Sequence, residues 1–311
     1  MKSILIAFLL FPSALLAQGS DWLLLLPKWE VGEERRLTIT YKERITRNDS
    51  VISERLDSTN DFIEVLTASS NGFTLKWLAQ RFRVDVFTDV PELQYAVDQI
   101  LARTDSLTME VKVHPAGRLR GLRNWDEVQS VYFAMFDYVG TSLKKSGIEM
   151  SNEEVDQMVV EMKNRVDQRV QVEKTALQPY ETLFNAFNIA MHRDSVKRQE
   201  KDIPIDFANE PVPGELVTRI VELNDSIAVL QTQTTIYPET ALKAINDYLK
   251  LREAMGEEPL EPLVSGVFSF EETNTCRFER MSGWWKEVTF KAHTQINETY
   301  IEQVVRYTFR E

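Results

Sequence analysis

Between residues 106 and 122 the chain reads "SLTMEVKVHPAGRLRGL". Leu107, Met109, Val111 and Val113 alternate with polar residues, the period-two pattern of a strand buried on one face. The "HPAG" that follows has proline second and glycine fourth, as a type I turn requires, and a short strand returns through Leu119. A strand that doubles back within four residues must pair antiparallel, because a parallel partner needs a crossover of a dozen residues or more. No other stretch restricts the possible folds as much.

Similar units recur along the chain. "RRLTITYKERI" places Leu37, Ile39, Tyr41 and Ile45 on one parity, and "NDS" at 48–50 reads as a turn into a second strand over roughly 51–67. Asn71-Gly72 is a hairpin signal that leads into "FTLKWLAQRFRVDVF". There Phe73, Leu75 and Trp77 share one parity while Phe82, Val84 and Val86 share the other, so a bulge is expected near 79–81. Pro91 opens a short helix. Later strands are expected over "LVTRIVEL" and "SIAVLQTQTTIY", then at about 266–279, 284–296 and 299–309. "PVPGE" (211–215) and "GEEPLEPL" (256–263) read as loops, and Pro238 as the start of a helix with Ala241, Ile245, Tyr248, Leu249 and Met255 inward.

The middle of the chain changes period. Asn124 with Glu127, and Ser151 with Glu154, have the spacing of helix starts. Val128, Val131, Tyr132, Met135, Val139 and Leu143 form one apolar stripe, with Gly147 placed to end that helix. Val155, Met158, Val159, Met162, Val166 and Val170 form the next stripe, and a third helix is expected from Pro179 through Met191. The expected fold is α+β: a mainly antiparallel, strongly twisted sheet, wet on one face, with a helical insertion packed on the other. The expected organisation is a β-rich segment over 18–123, a helical subdomain over 124–192 and a β-rich segment over 193–311 that completes the same fold.

The first residues, "MKSILIAFLLFPSALLAQGS", have a basic start at Lys2, an apolar run from Ile4 to Phe11 and a small-residue exit, the layout of a secretory signal peptide. Cleavage is expected after residue 17 or 19. A membrane anchor continuing through Trp22 to Leu26 is the rival reading, but Gln18, Gly19, Ser20 and Asp21 interrupt it, and a span needs about 20 mainly apolar residues. Removing residues 1–17 takes away one charge, Lys2, and moves the formal charge from −12 to −13. So acidic a chain is a poor partner for nucleic acid or an anionic membrane surface. Cys276 is the single cysteine, so no internal disulfide forms, and its place on the apolar parity of its strand marks a buried, inert thiol. Export without disulfides points to a bacterial periplasm or cell surface.

Motifs that carry chemistry are scarce. His114, His192 and His293 fall in no metal-ligand spacing. "HRDS" (192–195) reads as a helix C-terminus, where histidine suits the dipole, rather than as a catalytic triad, which needs convergence in space. The sequence contains no G-x-S-x-G, P-loop or G-x-G-x-x-G. "NEEVD" (152–156) suits a first helical turn better than a calcium loop. No cofactor or metal is expected.

The remaining candidate is aromatic surface in "RFERMSGWWKEVTF" (277–290). Adjacent strand residues point to opposite faces. Trp284 shares parity with Val288, Phe290, Ala292 and Ile296, while Trp285 shares it with Glu287, Thr289, Lys291, His293 and Gln295. Trp284 is therefore expected in the core. Trp285 is expected on a wet face, as a ligand-binding residue with His293 at the edge, or else packed in an aromatic pair across the sheet.

The leader, "VKVHPAGRLRGL" running directly into a helix, and the late "RMSGWWKEVTF" hairpin together resemble a group of uncharacterised exported bacterial proteins. In that group a "D-x-x-T-G" segment before a strand is common; here the matching residues are "ERMSGWW", with Ser282 in place of threonine. The hairpins are also similar to those of the outer-membrane lipoprotein carrier type, whose curved antiparallel sheet wraps a helix-plugged apolar cavity. The resemblance touches both ends of the chain and little of its helical middle, and it transfers no functional residues. Export, the long amphipathic strands and the lack of a catalytic constellation together point to an exported, non-enzymatic envelope protein that binds a hydrophobic small molecule or another envelope protein. Two alternatives stand beside that reading: an exported hydrolase whose acids converge only in the fold, and a protein–protein interaction module. The sequence gives no oligomeric state.

Overall fold

In the computed structural model the described residues are 21–80, 107–146, 150–203, 211–254 and 268–311. The leader, the helix expected from Pro91, Gly147 and the "GEEPLEPL" segment lie outside them. The strands are β1 (Trp22–Leu24), β2 (Glu34–Arg47), β3 (Ser50–Ser69), β4 (Gly72–Ala79), β5 (Leu107–Val113) and β6 (Leu119–Leu122). Four helices follow: α1 (Trp125–Ser146), α2 (Asn152–Asn164), α3 (Arg169–Leu177) and, after a 3₁₀ turn, the short α4 (Glu181–Phe184). Then come β7 (Ala190–His192), β8 (Val196–Ile203), β9 (Val212–Leu223), β10 (Ile227–Ile236), α5 (Pro238–Ala254), β11 (Phe268–Glu279), β12 (Trp285–Ile296) and β13 (Thr299–Arg310). Eleven strands form one large twisted sheet in the order β6-β5-β4-β3-β2-β13-β12-β11-β10-β9-β8, and β1 pairs with β7 apart from it. The chain is α+β with a mainly antiparallel sheet.

Two compact units divide the chain. One comprises Leu26–Tyr41, Leu56–Phe187 and Arg306–Glu311. In it β4 pairs antiparallel with both β3 and β5, so Ile63, Trp77 and Met109 lie side by side, as do Val65, Leu75 and Val111. All six are fully buried. Helix α1 packs on β5, and α2 and α3 pack on α1. The "HPAG" turn forms as expected: the Gly117 N–H donates to the His114 carbonyl at 2.8 Å, with Gly117 at φ 83°. Ser151 and Glu154 form a full capping box at the start of α2. Asn124 does more than begin α1. Its Oδ1 accepts from the Glu110 N–H and its amide donates to the Thr108 carbonyl, tying the helix start to β5.

The helical stripes need two corrections. The second stripe does not run through Val170: α2 stops at Asn164 and α3 restarts at Arg169, leaving Val170 74% exposed. The third helix does not reach Met191. It ends at Phe184, and Met191 lies in β7, paired with Leu23. His192 therefore begins a turn between strands rather than ending a helix. The Ser195 N–H and hydroxyl both donate to its carbonyl, and its ring meets Trp22 edge-on at 5.5 Å.

The other unit comprises Lys42–Arg55 and Asn188–Val305 with the chain up to Leu25. "PVPGE" is strand rather than loop: Val212, Pro213 and Gly214 pair with Ile203, Asp202 and Lys201 of β8. The glycine marks a close approach, since a Cβ there would lie 2.4 Å from the Thr235 carbonyl oxygen and from Ile203 Cδ1. Helix α5 packs on β9 and β11, burying Ala241, Leu242 and Ile245 against Ile203, Val212, Ile236 and Phe268.

Candidate functional site

Parity does not divide the double tryptophan as the sequence suggests. Strand β12 begins at Trp285, so Trp284 precedes it, and a bulge follows at once. Phe278 pairs with Trp285, yet Arg277 pairs with Glu287, which leaves Lys286 as an extra residue. The extra residue reverses the alternation. Trp285 consequently lies on the same side as Val288 and is 1% exposed, as is Trp284. Trp285 is thus not the head of a wet face. It packs between Phe278, with ring centroids 6.4 Å apart, and Trp284, at 6.0 Å and edge-on. His293 is half-buried on the opposite, outer face, where it pairs with Glu271. Its Nδ1 lies 2.7 Å from the Tyr300 hydroxyl, and the two rings stack at 5.8 Å. Burial, with Glu302 and Glu271 nearby, raises the Tyr300 pKa. Eight residues of strand place His293 about 26 Å from Trp285, so the fold does not bring the two together.

The inner face of β9–β12 holds the more informative arrangement. Along β11 the inward parity reads Phe268, Phe270, Glu272, Asn274, Cys276 and Phe278. The ends are apolar. At one, Phe268 lies under α5; at the other, Cys276, Phe278, Leu230, Val288 and Trp285 are buried together. Cys276 is buried as expected, and that burial pushes its thiol up to about 12.

Between these ends runs a polar belt. One rung across the strands is Thr218, Thr232, Asn274 and Phe290, and the next is Leu216, Thr234, Glu272 and Ala292. The Thr218 and Thr232 hydroxyls are 3.0 Å apart, and the Cys276 thiol donates to Asn274 Oδ1 at 3.5 Å. Burial raises the Glu272 carboxyl pKa, opposed by the charge of Lys201 and a hydrogen bond with Thr234. Leu216, Thr232, Phe270, Glu272, Asn274, Phe290 and Ile296 remain half-buried. The inner face is therefore a half-covered strip walled on one side by α5, whose core Leu216, Phe270 and Ile296 join. The sequence signal was the interruption of an apolar parity by two polar residues, Glu272 and Asn274.

A second buried acid lies in the other unit. Asp61, 2% exposed, accepts from Trp77 Nε1 at 2.8 Å, the Tyr180 hydroxyl at 2.9 Å and the Gln80 N–H at 3.3 Å. Desolvation raises its pKa, and these three bonds oppose the rise. The Tyr307 hydroxyl donates to the Pro179 carbonyl at 2.6 Å, and burial beside Asp61 pushes its pKa up to about 12. Asp61 serves as a hydrogen-bond junction fastening the 178–180 turn to β3 and β4. Among the described residues no three His, Cys, Asp or Glu side chains gather as metal ligands, and no helix is long and apolar enough to cross a membrane.

No family model and no curated protein matches this chain. Among solved structures, one of lipid–protein interactions in lipovitellin is similar with a TM-score of 0.41 and 9% identity, over 91% of this chain and 25% of that one. This chain thus spans a quarter of the lipovitellin chain. Ail, the attachment invasion locus protein of Yersinia pestis, is similar with a TM-score of 0.17 and 7% identity, over 91% of this chain and 100% of its own. A loop-deleted form of OmpT, an outer membrane protein of Vibrio cholerae, gives 0.22 and 7%, over 90% and 100%.

Proposed function

We propose that this chain is an exported, non-enzymatic envelope protein that holds a hydrophobic small molecule against the inner face of β9–β12. The observation that carries this reading is the half-covered strip of Leu216, Phe270, Phe290 and Ile296 beside α5. Side chains of this kind left part-open on a core-facing parity gain about 25 cal/mol for each square ångström that a guest removes from water. The signal-like leader agrees with export. Trp285 enters this reading as part of the closed apolar end of that face, and His293 lies outside it.

Native mass spectrometry of protein purified from its host, with titration by the neutral apolar probe N-phenyl-1-naphthylamine, tests the reading. The expected result is a retained small-molecule mass and saturable probe fluorescence that Phe290→Asp weakens at least tenfold. Neither a bound mass nor saturable probe binding would overturn it. A protein partner co-purifying in their place would assign the face to protein–protein contact.

A further inference from the structure

Resting on the inner-face reading, we propose that the belt at Glu272 and Asn274 selects the guest: a single-chain amphiphile with an uncharged, hydroxyl-bearing head.

Two adjacent rungs of the sheet place polar groups where the strands would otherwise continue an apolar floor. Placing a carboxyl and an amide on a covered face costs free energy unless their hydrogen bonds are made. The fold makes part of them. Thr234 bonds to Glu272, Thr218 and Thr232 bond to each other, and Asn274 accepts from the Cys276 thiol. Asn274 enters that bond as an acceptor, through Oδ1. Its Nδ2 is a donor two residues along the same face from an acceptor, the Glu272 carboxylate. A hydroxyl both donates and accepts, so it can donate to Glu272 while accepting from Asn274.

The same geometry works against an anionic head. A carboxylate or phosphate on the belt would meet Glu272, a like charge on a partly desolvated face, where repulsion exceeds that in water. The cation whose charge acts on Glu272, Lys201, lies on edge strand β8, where its side chain is exposed. The flanking Phe270, Phe290 and Leu216 supply apolar surface beside the belt for a single alkyl chain. The arrangement therefore suits a monoacylglycerol or a long-chain alcohol better than a fatty acid of equal length.

Displacement of N-phenyl-1-naphthylamine from the full-length mature chain at neutral pH, by 1-monododecanoylglycerol and by dodecanoate, tests this selection. The expected result is at least tenfold tighter binding of the monoacylglycerol. Glu272→Leu, which removes both the charge and the acceptor, should bring the two within about twofold, and Glu272→Gln, which removes the charge but keeps an acceptor, should narrow the preference only in part. Equal or tighter binding of dodecanoate to the unmodified chain, or an unchanged preference in Glu272→Leu, would overturn the assignment of the head group and leave the binding reading intact. Failure of the probe itself to bind would remove both.

Discussion

Replacing Asp61 with alanine tests how the 178–180 turn is held to the sheet. The carboxylate accepts two side-chain donors that have no access to water: Trp77 is 0% and Tyr180 6% exposed. A buried donor left without its acceptor costs about 1–3 kcal/mol. The tyrosine hydroxyl can rotate toward another acceptor, whereas the indole N–H cannot. Removing the carboxylate also relieves its own desolvation, which is what raises its pKa. The balance is an expected loss of about 2–4 kcal/mol, a large share of the about 5–15 kcal/mol that stabilises a domain. Urea denaturation followed by tryptophan fluorescence should show the midpoint falling by about 1 M. Asp61→Asn keeps an acceptor for the indole and should cost about 1 kcal/mol. Linkage adds a signed test. Because the folded pKa lies above 3.8, the acid's contribution is fully present below that value and is lost as pH rises through the folded pKa. The cost of Asp61→Asn should accordingly be largest in acid and shrink as pH rises. An Asp61→Ala protein within about 0.5 kcal/mol of the parent would refute the junction, whereas an asparagine penalty that grows with pH would show that hydrogen bonding outweighs desolvation at this carboxylate.

Three other perturbations probe the architecture. Trp285→Ala should lower stability by about 3–5 kcal/mol in the same urea assay; a loss below about 1 kcal/mol would mean that the bulge does not turn the ring inward. Gly214→Ala pushes a methyl against the Thr235 carbonyl oxygen and Ile203, and should cost about 1–3 kcal/mol with faster amide exchange along β8 and β9. Unchanged exchange there would show that the backbones approach less closely. Cys276, 2% exposed with its thiol pushed up to about 12, is thiolate in only ~10⁻⁴ of molecules at pH 8. Iodoacetamide should label it only as urea unfolds the protein, and labelling within minutes in native buffer would contradict its burial.

What the sequence could disclose depended on how local each determinant is. Strand β5, the "HPAG" turn and the Ser151–Glu154 box are written within a few consecutive residues, and each formed where its pattern placed it. Pro213-Gly214 carries the same local signature as a turn, yet its neighbours on β8 and β10 decide its state. The glycine is needed because two backbones converge on it. Asp61 was hidden for a similar reason. Its alternation within β3 is irregular, and the tyrosine that completes its bonding stands 119 residues later. The double tryptophan failed differently. Period-two reasoning is valid only while pairing is regular, and a single extra residue opposite Arg277 and Phe278 reversed it at the start of β12. The same parity argument, applied to β11 beyond that bulge, holds from Phe268 to Phe278. It points to Glu272 and Asn274, two polar residues on an apolar course, as the positions where the covered face departs from what packing alone requires.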